Sequence, residues 1–289
     1  MAKKLAFDKV LFTTICVLTV LGLAMVYSAS SALAHENIYG FNGFFIKQTG
    51  AAALGFLAMF IVMHIDYRRF EKRAVVYGGA LAVIALLVIV LFLPELNSTK
   101  RWIFVGGVSI QPSELAKLAL IPLVAYAIDR YWESDRDERV LVPAAAMVLI
   151  SAILVLEEPD LGTAVLLVAS VLLVLFLAGL RWRYFLAFLV LAIPAGAVLV
   201  FAAPYRRQRL FAFLHPQGDP LGAGFQALQS LIAVGSGGVL GRGPGQSVQK
   251  LFFLPQPNSD FIYSILAEEL GLIGAVGVVV LFCVFLWRG

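Results

Sequence analysis

Residues 74–94 read AVVYGGALAVIALLVIVLFLP, an apolar run without one charged side chain. Crossing the hydrocarbon core of a bilayer takes about 20 mostly apolar residues in helical form. This stretch meets that length unaided. It shows no strict alternation, so it reads as a helix and not as a barrel strand. A charged cluster, Arg68, Arg69, Glu71, Lys72 and Arg73, closes one end.

Seven more runs of the same kind lie outward from it, at 8–31, 44–64, 112–129, 140–157, 162–180, 184–203 and 261–287. The chain has 289 residues, of which 61% are hydrophobic and 14% charged. Those proportions exclude a soluble globular domain. They predict an all-α polytopic membrane protein: one membrane domain over 1–289, about eight transmembrane helices, and a long external loop, 204–260, between helices 7 and 8. Lys3 and Lys4 ahead of a run ending Ser31-Ala32-Leu33-Ala34 mimic a signal peptide. That run exceeds an h-region of about 7–15 residues and further spans follow, so it reads as an uncleaved first helix. Cys16 and Cys283 lie in apolar runs without disulfide or metal spacing, as buried thiols do.

Lys and Arg placement orients the chain. With the N-terminus in the cytoplasm, one set of ends and connections carries Lys3, Lys4, Lys9, Arg68, Arg69, Lys72, Arg73, Arg130, Arg136, Arg139, Arg181, Arg183 and Arg288, which is 13 of the 22 basic residues. Five of the other nine, Arg206, Arg207, Arg209, Arg242 and Lys250, lie in the 204–260 loop. Long loops escape the positive-inside rule. Their charge predicts an anion on the outer face, or contact with anionic headgroups.

The cytoplasmic connections read as solvated turns. The external ones hold the chemistry. Lys47 lies near the outer end of span two, where a lysine can snorkel. Pro112 suits the first turn of span four, and Glu114 and Lys117, three apart, share a face and can pair. Arg101-Trp102 is either an anion contact or an interfacial anchor. At Glu157-Glu158-Pro159-Asp160, three carboxylates in four residues could hold a hard divalent cation, or Asp160 could cap span six. A loop as long as 204–260 is usually functional. Its apolar stretch Phe225–Val234 predicts a short amphipathic or re-entrant helix, followed by Gly235-Ser236-Gly237-Gly238 and Gly241-Arg242-Gly243, a backbone able to take positive φ. The loop ends in Leu254-Pro255-Gln256-Pro257-Asn258-Ser259-Asp260. There Asp260 meets an apolar helix carrying Glu268 and Glu269, which are expected to pair inside the bundle. No Gly-rich phosphate loop, dinucleotide fingerprint or Cys/His metal spacing occurs.

Five of these motifs together resemble the SEDS membrane glycosyltransferases of bacterial cell-wall synthesis. They are Lys100-Arg101-Trp102-Ile103; Gln111-Pro112-Ser113-Glu114-Leu115-Ala116-Lys117; Glu158-Pro159-Asp160-Leu161-Gly162-Thr163; Gln229-Ser230 through Gly238; and Leu254-Pro255 through Asp260-Phe261-Ile262 with Glu268-Glu269-Leu270-Gly271. The chain is most similar to the division-type branch of FtsW and SpoVE, with the elongation-type RodA branch next. Family members have about ten helices, which implies two more beyond the eight runs. The family commonly reads Leu-Pro-Glu-x-His-Thr-Asp before the helix; here Gln256, Asn258 and Ser259 stand in place of Glu, His and Thr.

The resemblance implies polymerisation of lipid II at the outer face of the bacterial cytoplasmic membrane, with release of undecaprenyl pyrophosphate, in cell division or cell-shape maintenance. It makes Asp260 the general base that takes the proton of the attacking sugar hydroxyl, with cations stabilising the departing pyrophosphate. Without the resemblance, base and helix cap stand equal for Asp260. It also implies substrate contacts from Arg101, Lys117, Glu114, Lys47, Arg206, Arg209, Gln229 and Ser230, and structural or cavity roles for Glu158, Asp160, Glu268 and Glu269. The diphosphate implies a divalent cation, magnesium or manganese, with unassigned ligands. The implied partners are lipid II, a class B penicillin-binding protein and other divisome or elongasome membrane proteins, with no nucleic acid. A lipid II flippase would use the same charged cavity, although the hydropathy shows no inverted repeat. A non-catalytic scaffold for a transpeptidase would leave the external charges unexplained.

Overall fold

The computed structural model describes residues 7–30, 43–94, 100–105, 108–219, 222, 224–251, 253–255 and 259–289. Lys3, Lys4, the Ser31–Ala34 stretch, Gly106-Gly107 and Gln256, Pro257 and Asn258 lie outside these. The elements are α1 (Lys9–Ser30), α2 (Gly43–Met63), α3 (Arg73–Leu91), β1 (Ile103–Val105), β2 (Val108–Ile110), α4 (Pro112–Glu133), α5 (Val142–Glu157), α6 (Leu161–Leu177), α7 (Trp182–Ala202), α8 (Pro204–Leu214), α9 (Phe225–Ser236) and α10 (Ile262–Arg288).

Each of the eight apolar runs coincides with a helix. Among the described residues, six helices or helical stretches are long and apolar enough to cross a membrane: α1, α2, α3, the stretch Glu138–Glu157 that contains α5, α7 and α10. The protein is an all-α polytopic membrane protein. α6 has 17 residues, about 26 Å at 1.5 Å per residue, the short end of the spanning range. α4 is long enough at 22 residues but carries Glu114, Lys117, Asp129, Arg130 and Glu133. Neither α2 nor α7 has a buried residue. Their apolar side chains suit lipid.

The chain forms two units, residues 63–195 and residues 1–62 with 196–289. In the first, α3, α4, α5 and α6 pack on one another. Leu87, Leu120, Leu123, Val155 and Leu167 form the centre of that core. A two-stranded antiparallel hairpin pairs Ile103 with Ile110 and Val105 with Val108. It leads into α4, where Pro112 sits in the first turn as expected. Leucine and valine dominate these helices because they fill space without polar atoms needing partners.

In the second unit α1 and α9 both pack on α10. Met25, Leu254, Ile265, Leu266 and Val278 form its core. The expected long loop contains two helices, α8 and α9. Its arginines Arg206, Arg207 and Arg209 lie on a helix, α8, and not in a loop; Pro204 sets that helix's first turn, where its missing N–H is not needed. The expected short helix is α9, and Gly238, Gly241, Gly243 and Gly245 take positive φ after it. Cys16 and Cys283 are free, but neither is buried as expected: Cys16 is partly exposed and Cys283 is exposed on α10. A helix bound for lipid turns apolar side chains outward, so apolarity does not imply a protein neighbour.

α10 is not continuous. Gly271 adopts φ 66°, ψ −167°, a break between two helical stretches. Its freed backbone groups are met by the glycine-rich segment: Arg242 N–H donates to Glu268 O and Gly243 N–H to Glu269 O, each at 3.0 Å, while Leu272 N–H donates to Gly238 O at 2.9 Å. Irregular backbone at membrane depth persists only where protein satisfies it, and here the Gly238–Gly243 segment does so.

Candidate active site

Asp260 stands in the turn immediately ahead of α10. Ile262 N–H donates to Ser259 O at 3.2 Å and Ser264 N–H to Phe261 O at 3.0 Å, which starts the helix. The N-cap position belongs to Phe261, and no side chain caps the helix there. The cap alternative for Asp260 is therefore corrected. The carboxylate is exposed, and among the described residues no hydrogen bond or ion pair occupies it. A carboxylate one residue outside the helix, with no partner among the described residues, is open to accept a proton from a substrate hydroxyl.

Beneath Asp260, α10 buries two adjacent acids. Glu268 is 1% exposed and Glu269 2%. They do pair inside the unit as expected, and their partners come from the preceding loop and α1. Glu269 accepts from Ser28 Oγ at 2.6 Å, Gly245 N–H at 2.9 Å and Lys250 Nζ at 3.0 Å. Glu268 accepts from Ser247 Oγ at 2.5 Å, Val248 N–H and Gln249 N–H at 3.2 Å, and Ser236 Oγ at 3.2 Å. Arg242 Nη1 stands 3.6 Å from Glu268. Lys250, which the sequence places only among the loop cations, is buried. Ser28, 241 residues from its acceptor, carries no sequence signal at all.

The other expected residues of this unit lie apart from that network. Lys47 is exposed in the first turns of α2, and Arg209 is exposed on α8. Arg206 is half-buried, donating to Leu199 O at 3.1 Å and Tyr205 Oη at 2.9 Å. Gln229 and Ser230 are half-buried on α9, where Ser230 Oγ returns to Ala227 O at 2.8 Å.

The unit of residues 63–195 carries its own polar cluster. Asp160 does cap α6, accepting Thr163 N–H at 3.0 Å. Its other oxygen receives Arg101 Nη1 at 3.1 Å and Gln111 Nε2 at 3.3 Å. One carboxylate thus joins the hairpin entry, the start of α4 and the start of α6. Burial opposes its ionisation, but Thr163 and Arg101 outweigh that and hold its carboxyl below the usual range. Lys117 Nζ meets Glu114 Oε1 at 2.8 Å as expected, on a partly exposed face. Among the described residues no three His, Cys, Asp or Glu side chains gather into a metal-holding group. Glu157, Glu158 and Asp160 do not form such a group.

Glu158, just past the end of α5, is fully buried. Among the described residues neither of its oxygens has a hydrogen-bond partner, and neither does Arg101 Nε. Burial pushes its carboxyl up to about 8, the charge of Asp160 adds to this, and Arg101 opposes it. A raised acid binds more protons folded than unfolded. Its contribution to stability is complete below the unfolded value of 4.5 and is lost as pH rises through about 8. We expect Glu158→Gln to remove this slope: wild type loses melting temperature between pH 5 and pH 9 relative to the variant. An unpartnered buried polar group costs about 1–3 kcal/mol and a charged one more, so the gap amounts to at least a few degrees in thermal unfolding in detergent. Parallel melting profiles for the two proteins would refute the assignment.

A family model described as a cell cycle protein, for FtsW, RodA and SpoVE, matches residues 8–289. Stage V sporulation protein E of Bacillus subtilis is 40% identical over 293 residues, covering 99% of this chain and 79% of that protein. A probable peptidoglycan glycosyltransferase FtsW of Geobacter metallireducens is 40% identical over 291 residues, covering 98% and 76%. Among solved structures, a chain from a peptidoglycan synthase complex that coordinates polymerization and crosslinking superposes with a TM-score of 0.73 at 32% identity, covering 98% of this chain and 77% of that one. The rod shape determining protein RodA of Thermus thermophilus superposes with a TM-score of 0.64 at 27% identity, covering 98% and 74%.

Proposed function

The chain belongs to the FtsW/RodA/SpoVE family of cell cycle proteins, and from that premise we propose that Asp260 is the general base of a lipid II polymerase. The enzyme is a peptidoglycan glycosyltransferase, as relatives about 40% identical over nearly the whole chain are named. It polymerises lipid II in cell division or cell-shape maintenance. The observation that carries the residue assignment is the free, exposed carboxylate of Asp260 ahead of α10, in a position where capping does not use it.

In the proposed reaction the hydroxyl of one sugar attacks the anomeric carbon of a lipid-linked disaccharide. Asp260 takes the hydroxyl proton as the new C–O bond forms, and undecaprenyl pyrophosphate leaves with the electrons of the broken bond. Cations stabilise that diphosphate; the family resemblance assigns this to Arg101 and Lys117, with Lys47, Arg206 and Arg209 as further contacts. Gln229 and Ser230 are assigned to the substrate on the same basis. A magnesium or manganese ion accompanying the diphosphate belongs to the proposal without protein ligands. The membrane is the bacterial cytoplasmic one, with the N-terminus inside and Asp260 at the outer face, as the Lys and Arg bias supports. A class B penicillin-binding protein is the proposed partner, supported by the synthase complex among the structural neighbours.

Purified full-length protein with that partner, given lipid II, is expected to produce glycan polymer. Movement of lipid II across vesicles without polymer would favour a flippase. Neither polymer nor movement would favour a scaffold.

A further inference from the structure

Glu269 and Lys250 form the most deeply buried ion pair among the described residues, at 3.0 Å with side chains 2% and 5% exposed. The ammonium group of Lys250 has three donors, and all three are directed: to Glu269 Oε1, to Ser28 Oγ at 3.0 Å and to Gly245 O at 2.7 Å. Glu269 answers with acceptance from Ser28 Oγ and Gly245 N–H. The pair therefore holds both polar atoms of the Gly245 backbone and one side chain of α1. Lys250 N–H in turn donates to Ser247 Oγ, which is held by Glu268. Leu254 follows, fully buried against Met25, Ile265 and Leu266, with its N–H on Gln249 O at 2.9 Å. Six residues later comes Asp260.

Stability alone does not explain such a pair. Burying two charges costs desolvation, and an apolar pair of similar volume often serves a fold as well or better. An ion inside a membrane helix is costlier still and usually functional. What an apolar pair lacks is direction. It would fill the space without dictating which backbone carbonyl and which hydroxyl face it.

We propose that Lys250 and Glu269 are positioning residues for Asp260: a buried tie that sets where segment 245–254 crosses α1 and α10, and so where the carboxylate is presented. The inference rests on Asp260 as the base. Neither residue touches substrate. Their removal displaces the base without changing its chemistry.

The test uses full-length protein with its partner and lipid II, comparing wild type with the double variant Lys250→Met/Glu269→Leu. The double variant folds with a melting temperature close to wild type. Its kcat falls by about 10- to 100-fold, the scale on which a misplacement of ~1 Å acts. KM stays within about threefold, since substrate binding is untouched. The pH dependence of the residual rate keeps its midpoint. Amide exchange across 245–251 quickens by about tenfold or more, while exchange across 274–288 does not change. Turnover equal to wild type per folded molecule overturns the proposal, whatever the exchange shows. Should the double variant not fold, Ser28→Ala removes one contact from each member of the pair, and unchanged kcat with quickened exchange overturns the proposal equally. The two readings fail separately. Normal polymerisation by Asp260→Asn removes the base, whereas wild-type turnover by the double variant beside an inactive Asp260→Asn removes only the positioning pair.

Discussion

Asp260→Asn is expected to lower the rate of glycan polymerisation by about 10²–10⁴-fold, the contribution typical of a positioned general base. Asparagine keeps the size and one carbonyl oxygen but cannot take a proton at neutral pH. Because the carboxylate is exposed and no partner engages it among the described residues, its replacement leaves the fold alone. Thermal unfolding should shift by no more than the roughly ±0.5 kcal/mol of an ordinary surface change. A large loss of rate beside an unchanged melting temperature is therefore the signature of lost chemistry, not lost structure. KM should move little, since Asp260 is assigned to the proton and not to the diphosphate. Asp260→Asn polymerising like wild type would end the assignment. If Arg101→Ala were inactive in that same comparison, the essential chemistry would move to the cluster of Arg101, Asp160 and Glu158.

How much of this could be read beforehand depends on how local the cause is. The spans were legible because apolar length is a property of consecutive residues, as 74–94 shows. The cap at Asp160 and the pair of Glu114 with Lys117 were legible because both operate within one helical turn. The hairpin at 103–110 has one local signal, Gly106-Gly107 between valines, and strands of only three residues. α8 likewise lies inside the stretch that reads as loop, although Pro204 ahead of a run of arginines is a helix-start signal. For Asp260 the pattern left cap and base equal, because one residue of register separates them. The structure puts Phe261 at the cap position. Lys250 with Ser28 and Glu269 lay beyond sequence reasoning, since 222 residues separate the lysine from the serine.

The break in α10 was also hidden, and it carries the largest expected effect on stability. Glu268-Glu269-Leu270-Gly271 continues an apolar helical run, and nothing local says that Gly271 leaves it. Its φ of 66° with ψ of −167° lies in a region that is essentially glycine-only. A Cβ at 271 would stand 2.3 Å from Gly241 N and 2.5 Å from Val239 O, both backbone atoms that cannot swing aside. Gly241, at φ 81°, is the reciprocal half: its Cβ would meet Glu269 O at 2.2 Å. The two glycines let backbone lie on backbone where the loop closes the break. Gly271→Ala therefore combines a strained conformation, about 1–3 kcal/mol, with overpacking of about 1–3 kcal/mol. We expect a loss of roughly 2–6 kcal/mol from these two sources, seen as a much lower melting temperature in detergent and reduced yield of folded protein. Gly277→Ala is the control: no atom lies within 4 Å of its added Cβ, and it sits inside the helix, where alanine is favoured over glycine by about 1 kcal/mol. Equal stability for the 271 and 277 variants would mean that α10 runs straight through Gly271. The backbone pairing of 238–243 with 268–273, on which the placement of Glu268 and Glu269 depends, would then be wrong.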